Sequence, residues 1–153
     1  MRKADKEVLL LSEQEDIIRR TPFMRLAMID RDRPYLVPLS FGYRERTIYF
    51  HSAREGRKID ILRNNPLVCF EMTARAEILP GKPACRFSIS FESVIGEGRA
   101  LFVTDPAERL LGLNSIMAHY GEPGPCEYDE KSLALTQVVK IVIESMTGKK
   151  SRV

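Results

Sequence analysis

Three β-rich segments lie close together between residues 23 and 52, and the joints between them fit only hairpins. The segments are residues 23–30, 34–43 and 47–52, and each joint consists of three polar residues. Parallel strands need a crossover of about a dozen residues or more, so strands with such short joints pair antiparallel. The pattern therefore predicts an antiparallel meander and argues against a doubly wound parallel sheet.

Further strands are predicted in the second half of the chain, at residues 67–73, 84–103 and 139–144. The middle one is too long for a straight strand, and Gly96 and Gly98 indicate a bend or bulge within it. Residues 74–83 contain prolines and a glycine and are predicted to form a loop. Long bent strands are typical of barrels, in which closure removes exposed edges. We therefore expect a mainly β fold with peripheral helices, an antiparallel barrel of six or seven strands.

Three helices are predicted, at about residues 12–20, 55–64 and 105–120. Ser12 and Glu15 have the spacing of a capping box at the start of the first helix. Asp105 followed by Pro106 has the pattern of an N-cap residue and a proline at the first helical position.

Composition limits the class of protein. A length of 153 residues predicts a single domain, 1–153, with a polar, basic C-terminal tail at residues 147–153. The 24 Lys and Arg nearly balance the 21 Asp and Glu, which argues against a nucleic-acid surface and favours a small-molecule partner. The apolar run near the N-terminus is too short for a signal peptide or a membrane span, so a cytoplasmic protein is expected. Three cysteines without close spacing and two histidines predict no metal site.

The segment of residues 49–58 has the pattern of a phosphate cradle. It ends an apolar strand, turns through Ser52 and Gly56, and places Arg57 and Lys58 at the start of a predicted helix. A helix N-terminus offers unpaired N–H groups and a partial positive charge, to which the Ser52 hydroxyl and two cations would add. His51, at the end of the strand, is a candidate for contact with a cofactor or for proton transfer.

With these features in place, the chain resembles the FMN-binding split-barrel proteins, the pyridoxamine 5'-phosphate oxidase-like superfamily, and within it the nitroimidazole-resistance branch. The resemblance rests on ordered blocks at residues 26–30, 34–43, 48–53, 56–58, 65–70, 93–99 and 147–149. In the first hairpin this chain has Asp32-Arg33 where such proteins usually have Asp-Gly.

The resemblance implies a homodimer with two FMN sites between its subunits. It assigns the flavin ring and ribityl chain to Val37, Pro38, Leu39 and Ser40, and the ribityl chain and phosphate to His51, Ser52, Arg57 and Lys58. Ser93 would touch the flavin, often from the other subunit, and Lys149 would lie near a flavin edge.

The resemblance also implies an FMN-dependent oxidoreductase that passes electrons from NAD(P)H or another donor to small electron-poor acceptors such as nitroaromatics. A non-catalytic flavin-binding or redox-sensing module is the alternative. A third possibility is haem or a deazaflavin in place of FMN, with His51 or His119 as an axial ligand.

Overall fold

A computed structural model describes residues 6–151 of the chain, and its strands form one antiparallel sheet. The strands are β1 (Glu7–Val8), β2 (Met24–Asp30), β3 (Arg33–Leu39), β4 (Gly42–Arg44), β5 (Thr47–Ala53), β6 (Leu67–Leu79), β7 (Ser88–Phe102) and β8 (Thr136–Ser151). Their order in the sheet is β3-β2-β6-β7-β8-β5-β4, and β1 pairs with the far end of β8.

The sheet curls into a barrel. β3 and β4 are at opposite ends of the strand order, but only Ser40 and Phe41 separate them in the chain. Two residues cannot span a flat sheet of seven strands, so the two ends lie side by side. The predicted split barrel, mainly β with peripheral helices, is confirmed.

Both predicted turns are present, each of two residues, but the predicted meander was wrong. The strand predicted at residues 34–43 is divided into β3 and β4, which lie at opposite ends of the strand order. Arg31 has a φ of 61°, and Glu45 and Arg46 have φ values of 48° and 59°. Positive φ is typical of the two-residue turns whose twist matches that of antiparallel strands, and here it occurs without glycine.

Two predictions about the later strands were wrong. Residues 74–79, predicted as a loop, continue β6, and Ile78 lies opposite Ile89 of β7. Residues 147–151, predicted as a tail, belong to β8 and also pair with β7. Residues 75–79 pair with the neighbouring residues 88–92 and residues 147–151 with the more distant residues 91–95, and in both cases the pairing outweighs local polarity and turn residues.

The predicted bend in the long strand is confirmed as a bulge. The register between β7 and β8 shifts between Glu97 and Gly98. A Cβ atom at Gly98 would overlap the carbonyl oxygen of Val142, so this close approach requires glycine. The strand is shorter than predicted, since residues 84–86 form a 3₁₀ turn before it.

The helices are α1 (Leu11–Arg20), α2 (Arg57–Asn64), α3 (Pro106–His119) and α4 (Glu130–Leu135). The N-cap of α3 is as predicted, because Asp105 accepts a hydrogen bond of 2.7 Å from the Glu108 N–H. α4 was not predicted. Asp129 caps it by accepting a hydrogen bond of 2.9 Å from the Ser132 N–H.

The capping box predicted for α1 was wrong. The helix begins at Leu11, its N-cap is Leu10 and no side chain caps it, so Ser12 lies inside the first turn. The Gln14 side chain, buried under the helix, donates a hydrogen bond of 2.7 Å to the Val8 carbonyl and ties the helix start to β1.

The apolar core has two parts. The barrel interior holds the larger one, which includes the fully buried Phe41, Phe50 and Phe70. The smaller one lies between α3 and the outer face of the sheet and consists of Tyr49, Val103, Leu113, Ile116 and Val138. No helix within residues 6–151 is long and apolar enough to cross a membrane.

Candidate functional site

The junction between β5 and α2 presents free backbone donors. Gly56 is the N-cap of α2, with a φ of 118° that favours glycine, and no side chain caps the helix. The first helical bond runs from the Asp60 N–H to the Gly56 carbonyl at 3.1 Å. The N–H groups of the three residues between them therefore have no partner inside the helix and are suited to an anion.

Lys58 is a partly buried cation at this helix start. Its Nζ lies 5.4 Å from the centre of the Phe50 ring, and burial alone lowers the pKa of its ammonium group. Removing a charge from water is unfavourable unless an opposite charge accompanies it. A bound anion beside Lys58 would offset that loss of hydration.

Arg57 has a different environment. Its Nε and Nη2 both lie 2.9 Å from Asp30 Oδ2, and its guanidinium carbon is 4.4 Å from the centre of the Tyr35 ring. Arg57 thus joins the start of α2 to the β2–β3 hairpin. Its charge is already paired, so Lys58 has the stronger electrostatic reason to bind phosphate.

The exposed edge of the barrel at β3 borders this junction. β3 pairs with β2 on one side, where Val37 faces Leu26 and Leu39 faces Met24, and within residues 6–151 no strand pairs with its other side. Because Arg57 stacks on Tyr35, two residues before Val37, the start of α2 and this edge lie next to each other. Pro38 and Ser40 are exposed there, so the structure brings the segment 37–40 and the cradle together.

His51 and Ser52 face opposite sides of the sheet. Side chains alternate along a strand, and in β5 Phe50 points into the barrel while Tyr49 packs under α3. Ser52 therefore shares the side of Phe50 and Lys58, whereas His51 shares the side of α3. There His51 lines a cavity of about 210 Å³ between β5, α3 and α4, which we name the His51 cavity.

The His51 ring is partly exposed, and its surroundings change its pKa. Partial burial lowers the pKa of His51, and the charge of Lys58 lowers it further.

Ser93 and Lys149 lie elsewhere in the chain. They face each other across β7 and β8, and Lys149 Nζ is 5.1 Å from the centre of the Phe91 ring. Val138 of β8 pairs with His51, so Lys149 is eleven residues farther along that strand, roughly 35 Å if extended. One chain therefore does not bring these two residues to the cradle.

A comparison with protein families matches residues 12–150 to the family described as pyridoxamine 5'-phosphate oxidase. The chain belongs to this family. The expected family relationship is thus confirmed over almost the whole length of the chain.

A solved structure supports this family assignment. A candidate 5-nitroimidazole antibiotic resistance protein from Bacteroides thetaiotaomicron has 30% identity and a TM-score of 0.84, with 94% of this chain and 86% of that chain covered.

Two more distant structures share the fold. The flavocytochrome Anf3 from Azotobacter vinelandii has 20% identity and a TM-score of 0.86, covering 100% of this chain and 72% of that one. An FAD and haem binding protein from Mycobacterium smegmatis has 18% identity and a TM-score of 0.86, covering 97% and 74%. No curated protein matches the chain in sequence.

Several residues at the site of this family member were not predicted from the sequence. Asp30 and Tyr35, which hold Arg57, were placed only on strands, and the alternation of apolar residues in β2 and β3 could have put them at the hairpin end. Tyr128 and Leu133, which line the His51 cavity, follow an irregular loop after α3. No local pattern predicts that they fold back against β5.

Metal ligation has no support in the described part of the family member. Within residues 6–151, no three His, Cys, Asp or Glu side chains are grouped to hold an ion. His119, a candidate axial ligand, has its Nε2 2.8 Å from the Thr21 carbonyl oxygen and its ring 4.3 Å from that of Phe41.

Proposed function

We propose that this protein binds FMN at the start of α2 and acts as an oxidoreductase that reduces small electron-poor acceptors such as nitroaromatics. The observation that carries the proposal is Lys58, a cation half removed from water beside unpaired helix N–H groups. Family membership supports a flavin, and the Bacteroides neighbour at 30% identity supports a nitroaromatic acceptor.

The residues present fit FMN. Its phosphate would collect the N–H groups of the first turn of α2, the Ser52 hydroxyl and the charge of Lys58. Its ring would lie along the unpaired edge of β3 at residues 37–40, whose outward backbone groups would serve as hydrogen-bond partners. Bound flavin supplies the redox chemistry, and the protein binds and orients it.

A second subunit completes the site in this proposal. Ser93 and Lys149 reach a flavin only if another chain brings them, and the outer face of the sheet is suited to a partner. Ile29, Leu67 and Ile95 lie on that face and are 51%, 45% and 49% exposed. An interface on this face would bury these three apolar side chains. A dimer in light scattering is expected, and a monomer carrying one flavin per chain would contradict this part.

The visible absorption spectrum of the purified protein tests the cofactor. Oxidised-flavin bands, with FMN and not FAD released on denaturation, are the expected result. A Soret band in place of the flavin bands would exclude FMN and make haem the cofactor, with His51 as the candidate axial ligand.

Oxidation of NADH and NADPH, with and without 2-methyl-5-nitroimidazole, tests catalysis. We expect oxidation of one of the two nucleotides to increase when the acceptor is present. A yellow protein without turnover for any donor would overturn the enzymatic part and favour a non-catalytic flavin-binding or redox-sensing module.

A further inference from the structure

A groove lies between α2 and the turn that joins β2 to β3, and we name it the α2 groove. One wall is the turn with the end of β2, and the other is a single face of α2 with the residue that follows it. The groove has a volume of about 630 Å³, within the roughly 300–1,000 Å³ of small-molecule sites. Its polar lining residues are Asp30, Arg31, Arg57, Asp60, Asn64 and Asn65. Because Arg57 is the first residue of α2, the groove begins beside the phosphate cradle.

Arg31 carries the uncompensated charge of the α2 groove. Asp30 pairs with Arg57 at 2.9 Å, and Asp60 pairs with Arg63 at 3.3 Å. In the described part of the chain, no carboxylate lies within ion-pair distance of Arg31. An arginine without a counter-charge at the wall of a groove is suited to an anionic ligand, above all to a phosphate.

Internal hydrogen bonds orient two amide side chains of the groove. Asn64 Nδ2 donates to the Asp60 carbonyl at 2.9 Å, and Asn65 Oδ1 accepts from the Leu67 N–H at 3.1 Å. Among the described residues, Asn64 Oδ1 and Asn65 Nδ2 make no hydrogen bond. Consecutive residues thus leave one acceptor and one donor, which complement the amino group and a ring nitrogen of adenine.

Charge and amides lie at opposite ends of the groove. Arg31 follows Asp30, the partner of Arg57, and is therefore near the start of α2. Asn64 is seven residues after Arg57 on the same helix, roughly 10 Å along its axis. A phosphorylated adenosine has the same arrangement, since its ribose separates the phosphates from the base.

We propose that the α2 groove binds the 2′-phosphoadenosine half of NADPH and that Arg31 makes NADPH the preferred electron donor. The inference rests on the proposed function and deepens it, because it names the donor. An arginine commonly accommodates the 2′-phosphate, the group that distinguishes NADPH from NADH.

The position of the groove suits a dinucleotide. The proposed flavin ring lies along residues 37–40, and Pro38 is five residues beyond Arg33, roughly 17 Å along β3 from the turn. A dinucleotide that extends from the groove along this edge would bring its nicotinamide to the flavin. NADPH would give up a hydride to the flavin and leave as NADP⁺.

Calorimetry with adenosine 2′,5′-bisphosphate on the flavin-loaded protein tests the inference without turnover. The wild type should bind it at least about tenfold more tightly than adenosine 5′-phosphate, which lacks the 2′-phosphate. Arg31→Asn should weaken binding of the bisphosphate at least about fivefold, and asparagine tolerates the φ of 61° at this position. Arg33→Asn is the matched control, because Arg33 is exposed and lies outside the groove, and its affinity should stay within twofold of wild type.

A comparison of NADP⁺ with its hypoxanthine analogue tests the base on the wild type and needs no variant. Hypoxanthine has a carbonyl oxygen in place of the amino group of adenine, and this oxygen would face Asn64 Oδ1. NADP⁺ should therefore bind at least about tenfold more tightly than the analogue. Equal affinity for the two dinucleotides would overturn the inference, as would equal losses in Arg31→Asn and Arg33→Asn.

Flavin content and the identity of the released flavin separate this inference from the proposed function. A yellow protein that oxidises NADH and NADPH equally and does not bind the bisphosphate would refute the groove but not the function. Binding that Arg31→Asn weakens in a protein without flavin would do the reverse. Release of FAD in place of FMN, with no binding of the bisphosphate to the loaded protein, would overturn the inference, because the adenosine half of the cofactor would then fill the groove.

Discussion

Asp30 Oδ2 accepts a hydrogen bond of 2.9 Å from Arg57 Nε and also lies 2.9 Å from Arg57 Nη2. This pair neutralises the first of the two adjacent cations at the start of α2 and leaves the second, Lys58, as the group that gains most from a phosphate. We therefore predict that Arg57→Ala weakens FMN binding by about threefold or less, measured by fluorescence quenching on apoprotein. Exposed ion pairs contribute little, about 0.2–1 kcal/mol, so stability should change little too. A larger loss of FMN affinity in Arg57→Ala than in Lys58→Ala would refute this division of roles.

Arg20 of α1 pairs with a buried carboxylate, so we expect its removal to lower the stability of the fold. Glu92 is 6% exposed, and its Oε2 lies 2.7 Å from Arg20 Nη1. Removing one partner of a buried ion pair leaves an uncompensated charge, which is strongly destabilising. Lys150 stays 3.8 Å away and offsets part of this, so Arg20→Met should lower the free energy of unfolding by about 2 kcal/mol in urea titrations.

The adjacent residue supplies the control for Arg20. Arg19 forms an exposed pair with Glu15 at 3.1 Å, so Arg19→Met should cost no more than about 0.5 kcal/mol. Equal effects of the two substitutions would show that burial of Glu92 does not matter.

Close contact between α3 and β4 predicts a steric effect at Gly42. A Cβ atom there would overlap the backbone of Ser115 and Ile116, which a rotamer change cannot relieve. Gly42→Ala should therefore destabilise the fold by about 1–3 kcal/mol, the range for overpacking. Urea denaturation measures it, with Arg44→Ala as the control at an exposed position of the same strand. Wild-type stability in Gly42→Ala would mean that α3 is not docked this closely.

The raised pKa of Tyr43 predicts a loss of stability at alkaline pH. Burial first, and then its 2.8 Å hydrogen bond to Glu15 Oε1, raise the pKa of Tyr43 to about 12. In the unfolded chain the pKa is about 10, so between pH 10 and 12 the unfolded state releases a proton that the folded state retains. The free energy of unfolding should therefore fall over this range, and Tyr43→Phe should remove part of the fall. If the difference between wild type and Tyr43→Phe did not change with pH, the hydroxyl would not be buried as described.

The sequence predicts features that depend on neighbouring residues and misses those that depend on distant ones. The N-cap at Asp105 was predicted correctly because its side chain bonds a backbone group three residues away. The hairpin joints were predicted because their length alone limits the pairing. The strand character of residues 147–151 was missed because it comes from pairing with residues 91–95, which no local pattern shows. Residues 75–79 pair with the nearer residues 88–92, but Pro80 and Gly81 beside them favoured a loop.

The candidate site likewise combines features that the sequence predicts with features that it does not. The Gly56, Arg57 and Lys58 segment lies at a helix start as the sequence predicts, since the strand, turn and helix are consecutive. The pairing of Arg57 with Asp30 and the burial of Lys58 depend on how α2 packs. The sequence therefore predicts equal roles for Arg57 and Lys58 in binding phosphate, whereas the structure favours Lys58. The period of two along β5 could have separated His51 from Ser52, but only packing shows which helices His51 faces.

The affinity of apoprotein for FMN, in wild type and Lys58→Ala, tests the central claim most directly. Hydrogen bonds to charged groups contribute about 1.5–3 kcal/mol, so the dissociation constant should rise at least about tenfold in Lys58→Ala. Lys131→Ala is the control, because Lys131 is also the second residue of a helix but is exposed, and it should bind FMN like the wild type. Unchanged affinity in a folded Lys58→Ala protein would contradict the account, because the cation that identifies the cradle would then play no part in binding the cofactor.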